Sequence, residues 1–193
     1  MDWLEYVEEI LIPEDKLRSR IAELGADITR DYAGQDLLLV CVLKGGVVFL
    51  TDLMRHIRVP HSIDFMAISS YGAGARESSG VVRILMDLSA DISNRNVLIV
   101  EDIIDTGFTL EYILRLLRAR RPASLRVCCL LDKPSRRRVP IQVDYLGFCI
   151  PDKYVFGYGL DLDEHFRELP LVATLKPALY GRFASKPAVQ EPS

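Results

Sequence analysis

The sequence of 193 residues lacks the features of an exported or membrane-inserted protein. Its N-terminus, MDWLEYVEEI, is acidic and does not show the basic and then apolar order of a signal peptide. No apolar run approaches the roughly 18 residues that a membrane-spanning helix needs. The four cysteines include no CxxC pair, and three of them lie in apolar runs, which is typical of reduced core thiols. These absences predict a cytoplasmic protein.

The sequence also lacks an excess of charge of one sign. Its formal net charge is -3, which gives no electrostatic footprint for binding nucleic acid. Hydrophobic residues make up 49% and charged residues 26%, the composition of an ordinary globular chain. A length of 193 residues suits one domain, and small molecules are the expected partners. Residues 182–193, which include SKPAVQEPS, are predicted to form a disordered tail.

Strand and helix signals alternate along the chain. Leu17, Ile21, Leu24 and Ile28 recur at helical spacing and give one apolar face. LLLVCVL is continuously apolar, as a strand covered on both faces would be. This alternation predicts an α/β fold with a largely parallel sheet. The predicted strands are residues 37–43, 63–69, 81–88, 97–100, 125–131 and 143–148; the predicted helices are 12–32, 47–57 and 110–120; and a glycine-rich loop is predicted at 71–80.

The most informative stretch is NVLIVEDIIDTGFTL, at residues 96–110. Its apolar strand runs into Glu101 and Asp102, and residues 105–109 then lead into a helix. In parallel sheets, ligands bind beyond the carboxyl ends of the strands. Backbone N–H groups at the helix start and two threonine hydroxyls suit a phosphate, whereas the paired acids would repel it. Because the acids fit a sugar diol or a hydrated Mg²⁺, the stretch predicts a site for a phosphorylated pentose.

A purely structural interpretation is open for each of these residues taken alone. Asp105 or Thr106 would then cap the helix, and Glu101 and Asp102 would form a solvated strand end. The complete order is an apolar strand, two acids, two aliphatic residues and then DTGxT before a helix. That order is much rarer than any one of its parts, and it favours a binding site.

Several separated motifs resemble one enzyme family. VLIVEDIIDTGFTL resembles the phosphoribosyl diphosphate motif of the type I phosphoribosyltransferases. Four further stretches resemble the hypoxanthine (hypoxanthine-guanine) branch of that family. VLKGGVVFLTDLMR is similar to its diphosphate loop, and SSYGAG is similar to its flap. LLDKPSRRR is similar to its base loop, and PDKYVFGYGLDLDEHFRELP is similar to its base-stacking and metal-binding segment. The likeness covers residues 12–180. It implies a type I phosphoribosyltransferase fold, a mainly parallel sheet flanked by helices, in a single domain of residues 1–181 whose small hood comes from the N- and C-terminal segments. It also implies a homodimer or homotetramer.

The resemblance implies an activity in purine salvage. The 5-phosphoribosyl group of phosphoribosyl diphosphate would pass to a 6-oxopurine base with Mg²⁺, through an oxocarbenium-like transition state. Hypoxanthine would give IMP, guanine would give GMP, and diphosphate would leave. Ser70 and Tyr71 belong to the implied flap, which would close over the reacting centre. Neither nucleic acid nor a membrane is an expected partner.

Each part of phosphoribosyl diphosphate has implied contacts. Glu101 and Asp102 would hold the ribose hydroxyls, directly or through water on Mg²⁺, and Asp161 would bind the metal. Asp105 matches the family's proposed general base. The implied phosphate and diphosphate contacts are Lys44, Gly45, Thr106, Gly107, Phe108, Thr109 and Arg167. Other members often carry a polar or basic residue in place of Phe108, so the phosphate loop here lacks that contribution. The resemblance also implies that the Leu43–Lys44 peptide bond can adopt the cis form, which would turn a backbone N–H toward the diphosphate.

The purine also has implied contacts. Lys133 would donate to the 6-oxo group, Tyr154 would stack on the ring, and Val155 and Asp161 would lie near its edge. A different interpretation is open for two of these residues without the other motifs. Lys133 would then begin a solvated basic loop, KPSRRR, and Tyr154 would fill the core.

A second class of function also stays open. Some proteins on this fold are regulators that sense nucleotides or phosphoribosyl diphosphate while binding RNA or DNA. The basic clusters at residues 118–126 and 133–138 fit that class, and they equally fit solvated loops or the steering of an anionic substrate. A sensor needs no proton acceptor, so the presence of Asp105 together with Lys133 and Arg167 favours an enzyme.

Overall fold

The computed structural model describes residues 2–71 and 81–183. The strands are β1 Val7–Ile12, β2 Leu37–Leu43, β3 His61–Tyr71, β4 Val81–Met86, β5 Asn96–Ile104, β6 Ser124–Asp132, β7 Tyr145–Cys149, β8 Val155–Phe156 and β9 Val172–Leu175. The helices are α1 Glu14–Asp31, α2 Gly46–His56, α3 Phe108–Arg118 and α4 Tyr180–Phe183, with short 3-10 turns at Trp3–Glu5, Pro134–Arg136 and Pro177–Leu179.

A six-stranded sheet in the order β4-β3-β2-β5-β6-β7 forms the centre of the fold. Its strands pair in parallel except for β4, which lies antiparallel to β3 at one edge. Alternate side chains of β5 point to opposite faces. Leu98 and Val100 join the core with α1 and α2, while Val97 and Ile99 join the core with α3. Helices therefore cover both faces, and the predicted α/β fold with a mainly parallel sheet is confirmed.

A second sheet, in the order β1-β9-β8, forms the hood. Both β1 and β8 pair antiparallel with β9. Tyr6, Phe156, Phe166 and Leu175 belong to a separate apolar cluster there. The hood therefore combines segments from near both ends of the chain, as the resemblance implied.

The observed elements correct the sequence-based prediction in several places, and strands β8 and β9 were not predicted. Strand β1 was not predicted, because VEEILI is largely exposed and its partner, β9, lies far along the chain. Strand β5 extends to Ile104, so Glu101 and Asp102 lie within the strand and not after it. Helix α3 begins at Phe108, two residues earlier than predicted. Helix α4 includes residues 182–183, which had been assigned to the tail.

Two predictions lie outside the described residues, namely most of the glycine-rich loop, at residues 72–80, and the tail from residue 184. Ser70 and Tyr71 lie in β3, so the predicted loop begins one residue too early. No described helix is both long enough and apolar enough to cross a membrane.

Candidate functional site

The predicted site residues collect at one edge of the central sheet. Lys44 and Gly45 follow β2, residues 105–109 follow β5, and Lys133 follows β6. These strands are neighbours in the sheet and run in parallel, so their carboxyl ends meet at this edge. It is the position at which open parallel sheets bind ligands.

Glu101 and Asp102 place two acids in a partly buried environment. Glu101 Oε2 is buried and accepts no hydrogen bond from the described part of the chain. Asp102 Oδ1 accepts a hydrogen bond from the Ile103 N–H at 2.8 Å. Burial, reinforced by the charge of Asp102, raises the pKa of Glu101 well above its usual value. Burial likewise raises the pKa of Asp102 to about 6. Both acids are partly buried and lie inside β5, so they are not a solvated strand end.

Two glycines let the backbone approach this acid pair closely. A Cβ added at Gly45 would lie 1.6 Å from Asp102 Oδ2. Gly159 has a φ of +96°, which favours glycine, and a Cβ there would lie 2.1 Å from the Gly45 carbonyl oxygen. The loop after β2 and the segment after β8 therefore meet over Asp102 without intervening side chains. The Leu43–Lys44 peptide bond is cis, as expected.

The carboxylates at this edge of the sheet are suitable ligands for a hydrated Mg²⁺. Within residues 2–71 and 81–183, no group of three or more His, Cys, Asp or Glu side chains is placed to hold a metal by itself. Mg²⁺ is usually held by one or two carboxylates, with water and substrate phosphate oxygens completing its shell. Glu101 Oε2, a buried oxygen without a hydrogen-bond partner in the described chain, suits such a shared shell.

Asp161 and Arg167 contact each other beside Lys44. Arg167 Nη2 lies 2.9 Å from Asp161 Oδ1, and Arg167 Nη1 donates to the Gly159 carbonyl oxygen at 2.8 Å. Lys44 Nζ donates to Glu164 Oε2 at 2.9 Å. The structure thus brings together three predicted residues and adds Glu164, which the sequence-based prediction missed although it lies within the quoted DLDEHFRELP motif.

The loop before α3 presents backbone donors. Gly107 has a φ of +89°, and a Cβ there would lie 2.9 Å from Val139 Cγ2. The first intrahelical bond runs from the Glu111 N–H to the Gly107 carbonyl oxygen at 2.9 Å. The N–H groups of residues 108–110 consequently have no partner within the helix, which is the arrangement that suits an anion. The N-cap residue of this helix is Gly107, which has no side chain that could cap it.

A pocket of about 270 Å³ lies beside this loop, close to the lower limit of about 300 Å³ for small-molecule sites. Here it is called the Lys133 pocket. Lys133 is only 7% exposed, so it does not belong to a solvated loop. The Tyr154 ring is half-buried, and its centroid lies 6.3 Å from that of Tyr180. The pocket is lined by Ile103, Asp105, Lys133, Arg136, Asp152, Lys153, Tyr154, Val155, Leu160 and Tyr180.

Asp105 has a partner that the sequence-based prediction did not identify. Arg136 Nε donates to Asp105 Oδ1, and Arg136 Nη1 donates to Asp152 Oδ2 at 3.5 Å. The side chains of Asp105 and Arg136 are 43% and 24% exposed. The only signal in the sequence is the run SRRR, whose composition also fits a solvated loop.

Comparison with protein families gives one match over most of the chain. Residues 12–165 match the family described as phosphoribosyl transferase domain. A hypoxanthine-guanine phosphoribosyltransferase of Mycobacterium avium is 51% identical over 180 residues, covering 90% of this chain and 88% of that protein. A hypoxanthine phosphoribosyltransferase of Salmonella typhimurium is 48% identical over 171 residues, covering 88% of this chain and 96% of that protein.

Solved structures give the same family. A crystal structure of a hypoxanthine phosphoribosyltransferase from Staphylococcus aureus superposes with a TM-score of 0.88 at 46% identity, covering 92% of this chain and 96% of that one. A crystal structure of a hypoxanthine-guanine phosphoribosyltransferase from Bacillus anthracis superposes with a TM-score of 0.83 at 40% identity, covering 89% and 98%.

Proposed function

The chain belongs to the phosphoribosyltransferase family, and on that premise we propose that it transfers the 5-phosphoribosyl group of phosphoribosyl diphosphate to hypoxanthine, and also to guanine. The observation that carries this proposal is the Lys133 pocket. It combines a donor for a 6-oxo group, an aromatic ring for stacking and a carboxylate, in Lys133, Tyr154 and Asp105. The pocket adjoins the loop before α3, where the N–H groups that have no partner within the helix would hold the 5′-phosphate.

The proposed reaction places a proton acceptor next to the purine. As a purine ring nitrogen forms its bond to the anomeric carbon of the ribose, the bond from that carbon to diphosphate breaks. The purine N–H proton passes to Asp105, and diphosphate leaves with its electron pair. Thr106, Gly107, Phe108 and Thr109 would bind the 5′-phosphate. Lys44, Gly45 and Arg167 would contact the diphosphate, whose oxygens suit the fork of an arginine.

We assign the carboxylates at the edge of the sheet to the sugar and the metal. Glu101 and Asp102 would hold the ribose hydroxyls, directly or through water on Mg²⁺, and Asp161 would bind Mg²⁺ beside the diphosphate. When bound, the metal would neutralise charge that develops on the leaving group. Arg167 already pairs with Asp161, which supports a shared role for these two residues at the diphosphate.

Base choice gives the sharpest test of the proposal. Lys133 carries only hydrogen-bond donors, so it stabilises an acceptor at purine position 6, and hypoxanthine and guanine both present a carbonyl there. Adenine presents an amino group, which would leave the largely buried ammonium of Lys133 without that acceptor. Sites built around a required hydrogen bond can reject the wrong partner by about 10⁴-fold or more. We therefore expect kcat/KM for adenine to be lower than that for hypoxanthine by about that factor.

The measurement is a competition assay with phosphoribosyl diphosphate and all four bases, hypoxanthine, guanine, xanthine and adenine. Xanthine should be weak, because it places a carbonyl where the 2-amino group of guanine would meet acceptors near Val155 and Asp161. Equal consumption of adenine and hypoxanthine would contradict the role given to Lys133. An absence of turnover with every base, together with RNA binding in a gel shift, would instead support a regulator.

We make three further proposals, and the flap and the oligomer follow from the family resemblance. Ser70 and Tyr71 would belong to a flap that excludes water from the reacting centre. The enzyme would act as a homodimer or homotetramer, with small molecules as its only substrates. A cytoplasmic location is supported by the cysteines, since all four are free thiols and three are buried.

A further inference from the structure

Arg136 lies at the centre of a contact between two loops of the site. The Lys133 N–H donates to the Ile104 carbonyl oxygen, and the Arg138 N–H donates to the Thr106 carbonyl oxygen, both at 3.0 Å. These two bonds reach the residues immediately before and after Asp105. The loop that contains Arg136 is thereby fixed to the loop that contains Asp105 on both sides of the carboxylate.

A short helical turn directs the arginine within this frame. Residues Pro134–Arg136 form a 3-10 turn, and the Arg136 N–H donates to the Lys133 carbonyl oxygen at 3.0 Å. The Arg136 guanidinium then reaches Asp105 Oδ1 on one side and Asp152 Oδ2 on the other. Two acids from different loops hold the guanidinium, which suits its planar fork.

The two oxygens of Asp105 are therefore used differently. Oδ1 accepts from Arg136, whereas Oδ2 makes no hydrogen bond to the described part of the chain. Both residues line the Lys133 pocket. A carboxylate fixed through one oxygen retains the other for an incoming proton donor. Its charge is also balanced by a cation that does not titrate near neutral pH, since the partner acids raise the pKa of Arg136 further.

We propose that Arg136 is the positioning residue of Asp105: it holds one carboxylate oxygen, so that the other faces the purine N–H in the reactive orientation. This inference rests on the proposed function, because it assigns Arg136 a role only if Asp105 accepts the purine proton. In this role Arg136 acts through Asp105 and does not need to contact either substrate. Its removal should accordingly alter turnover and leave substrate binding nearly intact.

The first experiment measures kcat and both KM values with hypoxanthine and phosphoribosyl diphosphate. Arg136→Gln should lower kcat by roughly 10- to 100-fold, because misplacing a reacting group by about 1 Å can cost about 10²-fold. Both KM values should stay within about threefold of wild type. Arg136→Lys should recover part of kcat, since lysine retains the charge but lacks the fork. Arg138→Gln is the matched control: it removes the same charge from an exposed side chain outside the pocket, and its kcat should be unchanged.

A double-mutant cycle with Asp105→Asn separates positioning from a general structural role. If Arg136 acts only through Asp105, then Arg136→Gln should lower kcat little further in the Asp105→Asn background. An equally large loss in that background would overturn the proposal, as would unchanged kcat in Arg136→Gln or a change confined to the KM for the purine. Normal turnover in Asp105→Asn would refute the role of Asp105 itself, and no turnover in the wild-type protein would refute the proposed function.

Discussion

Glu101 and Asp102 lie within strand β5, whereas Asp105 lies in the loop that follows it. The carboxylates in these two regions differ in their burial and in their charged partners. The strand pair is partly buried, and this burial raises the pKa of each acid. Asp105 is half-exposed and bonded to Arg136. One region therefore raises the pKa of its acids by burial, whereas the other holds its carboxylate beside a guanidinium.

This difference matches the two tasks that the proposed reaction needs. A carboxylate that accepts a proton needs one oxygen available to the purine N–H, and Arg136 binds the other oxygen of Asp105. Acids that hold ribose hydroxyls or a hydrated cation need the charge only when substrate is present. Because Glu101 and Asp102 are partly buried, they would interact more strongly than exposed acids with a cation that arrives with the substrate.

The largest effect should come from removing the proton acceptor. Asp105→Asn should lower kcat by about 10²–10⁴-fold, the usual contribution of general acid–base catalysis. The affinity for phosphoribosyl diphosphate should stay nearly unchanged, because the proposed contacts to the substrate phosphates and ribose lie elsewhere. Steady-state kinetics with hypoxanthine, beside equilibrium binding of phosphoribosyl diphosphate with Mg²⁺, measures both quantities.

Glu101→Gln is the matched control for that variant, since it also replaces one carboxylate by an amide. It should weaken binding of phosphoribosyl diphosphate, because it removes a proposed ribose contact. If both variants lost turnover and binding in the same proportion, the acids within β5 and the carboxylate of Asp105 would not have separate roles.

Local sequence patterns could predict much of this arrangement. The loop before α3 is one continuous stretch, so the order of its residues already places phosphate donors beside the acids. The position of the acids within β5 was harder to predict, because the apolar run stops at Val100. Pairing continues beyond it, with Ile103 opposite Leu131 and Ile104 opposite Asp132.

Contacts between distant segments could not be read from the sequence. Arg136 reaches Asp105 only because two backbone bonds join their loops, and nothing in SRRR distinguishes it from the neighbouring arginines. The pairing of Lys44 with Glu164 similarly depends on the segment after β8 folding over the loop after β2.

The next largest effect should be on stability, and its pH dependence distinguishes the two regions. Burial raises the pKa of Asp102 in the folded protein from 3.8 to about 6. As pH rises through this window, the unfolded chain releases the proton first, so wild-type stability should fall. Asp102→Asn lacks this titration, and its Oδ1 can still accept from the Ile103 N–H. We expect it to increase the free energy of unfolding by about 1–3 kcal/mol above pH 6, and by almost nothing near pH 4.

Thermal unfolding at several pH values measures this effect, and about 2–4 °C in Tm corresponds to each kcal/mol for a chain of this size. Glu101→Gln should change stability in the same direction. Asp105→Asn should give no such gain, because it removes a partner of Arg136. A gain in Asp105→Asn equal to that in Asp102→Asn would contradict the different environments assigned to the two regions.

The smallest effect concerns the glycine that lies against the strand pair. A Cβ at Gly45 would lie 1.6 Å from Asp102 Oδ2, so alanine there must displace that carboxylate. Because a side-chain terminus can move, Gly45→Ala should change stability little while raising the KM for phosphoribosyl diphosphate by about tenfold, or roughly 1.4 kcal/mol. Gly46→Ala is the matched control. Its Cβ would lie 3.0 Å from Cys41 Sγ and 3.2 Å from the Val100 carbonyl oxygen, so it should strain the core and change KM little. If the two variants had equal KM values, the position of the Asp102 carboxylate would have no bearing on substrate binding.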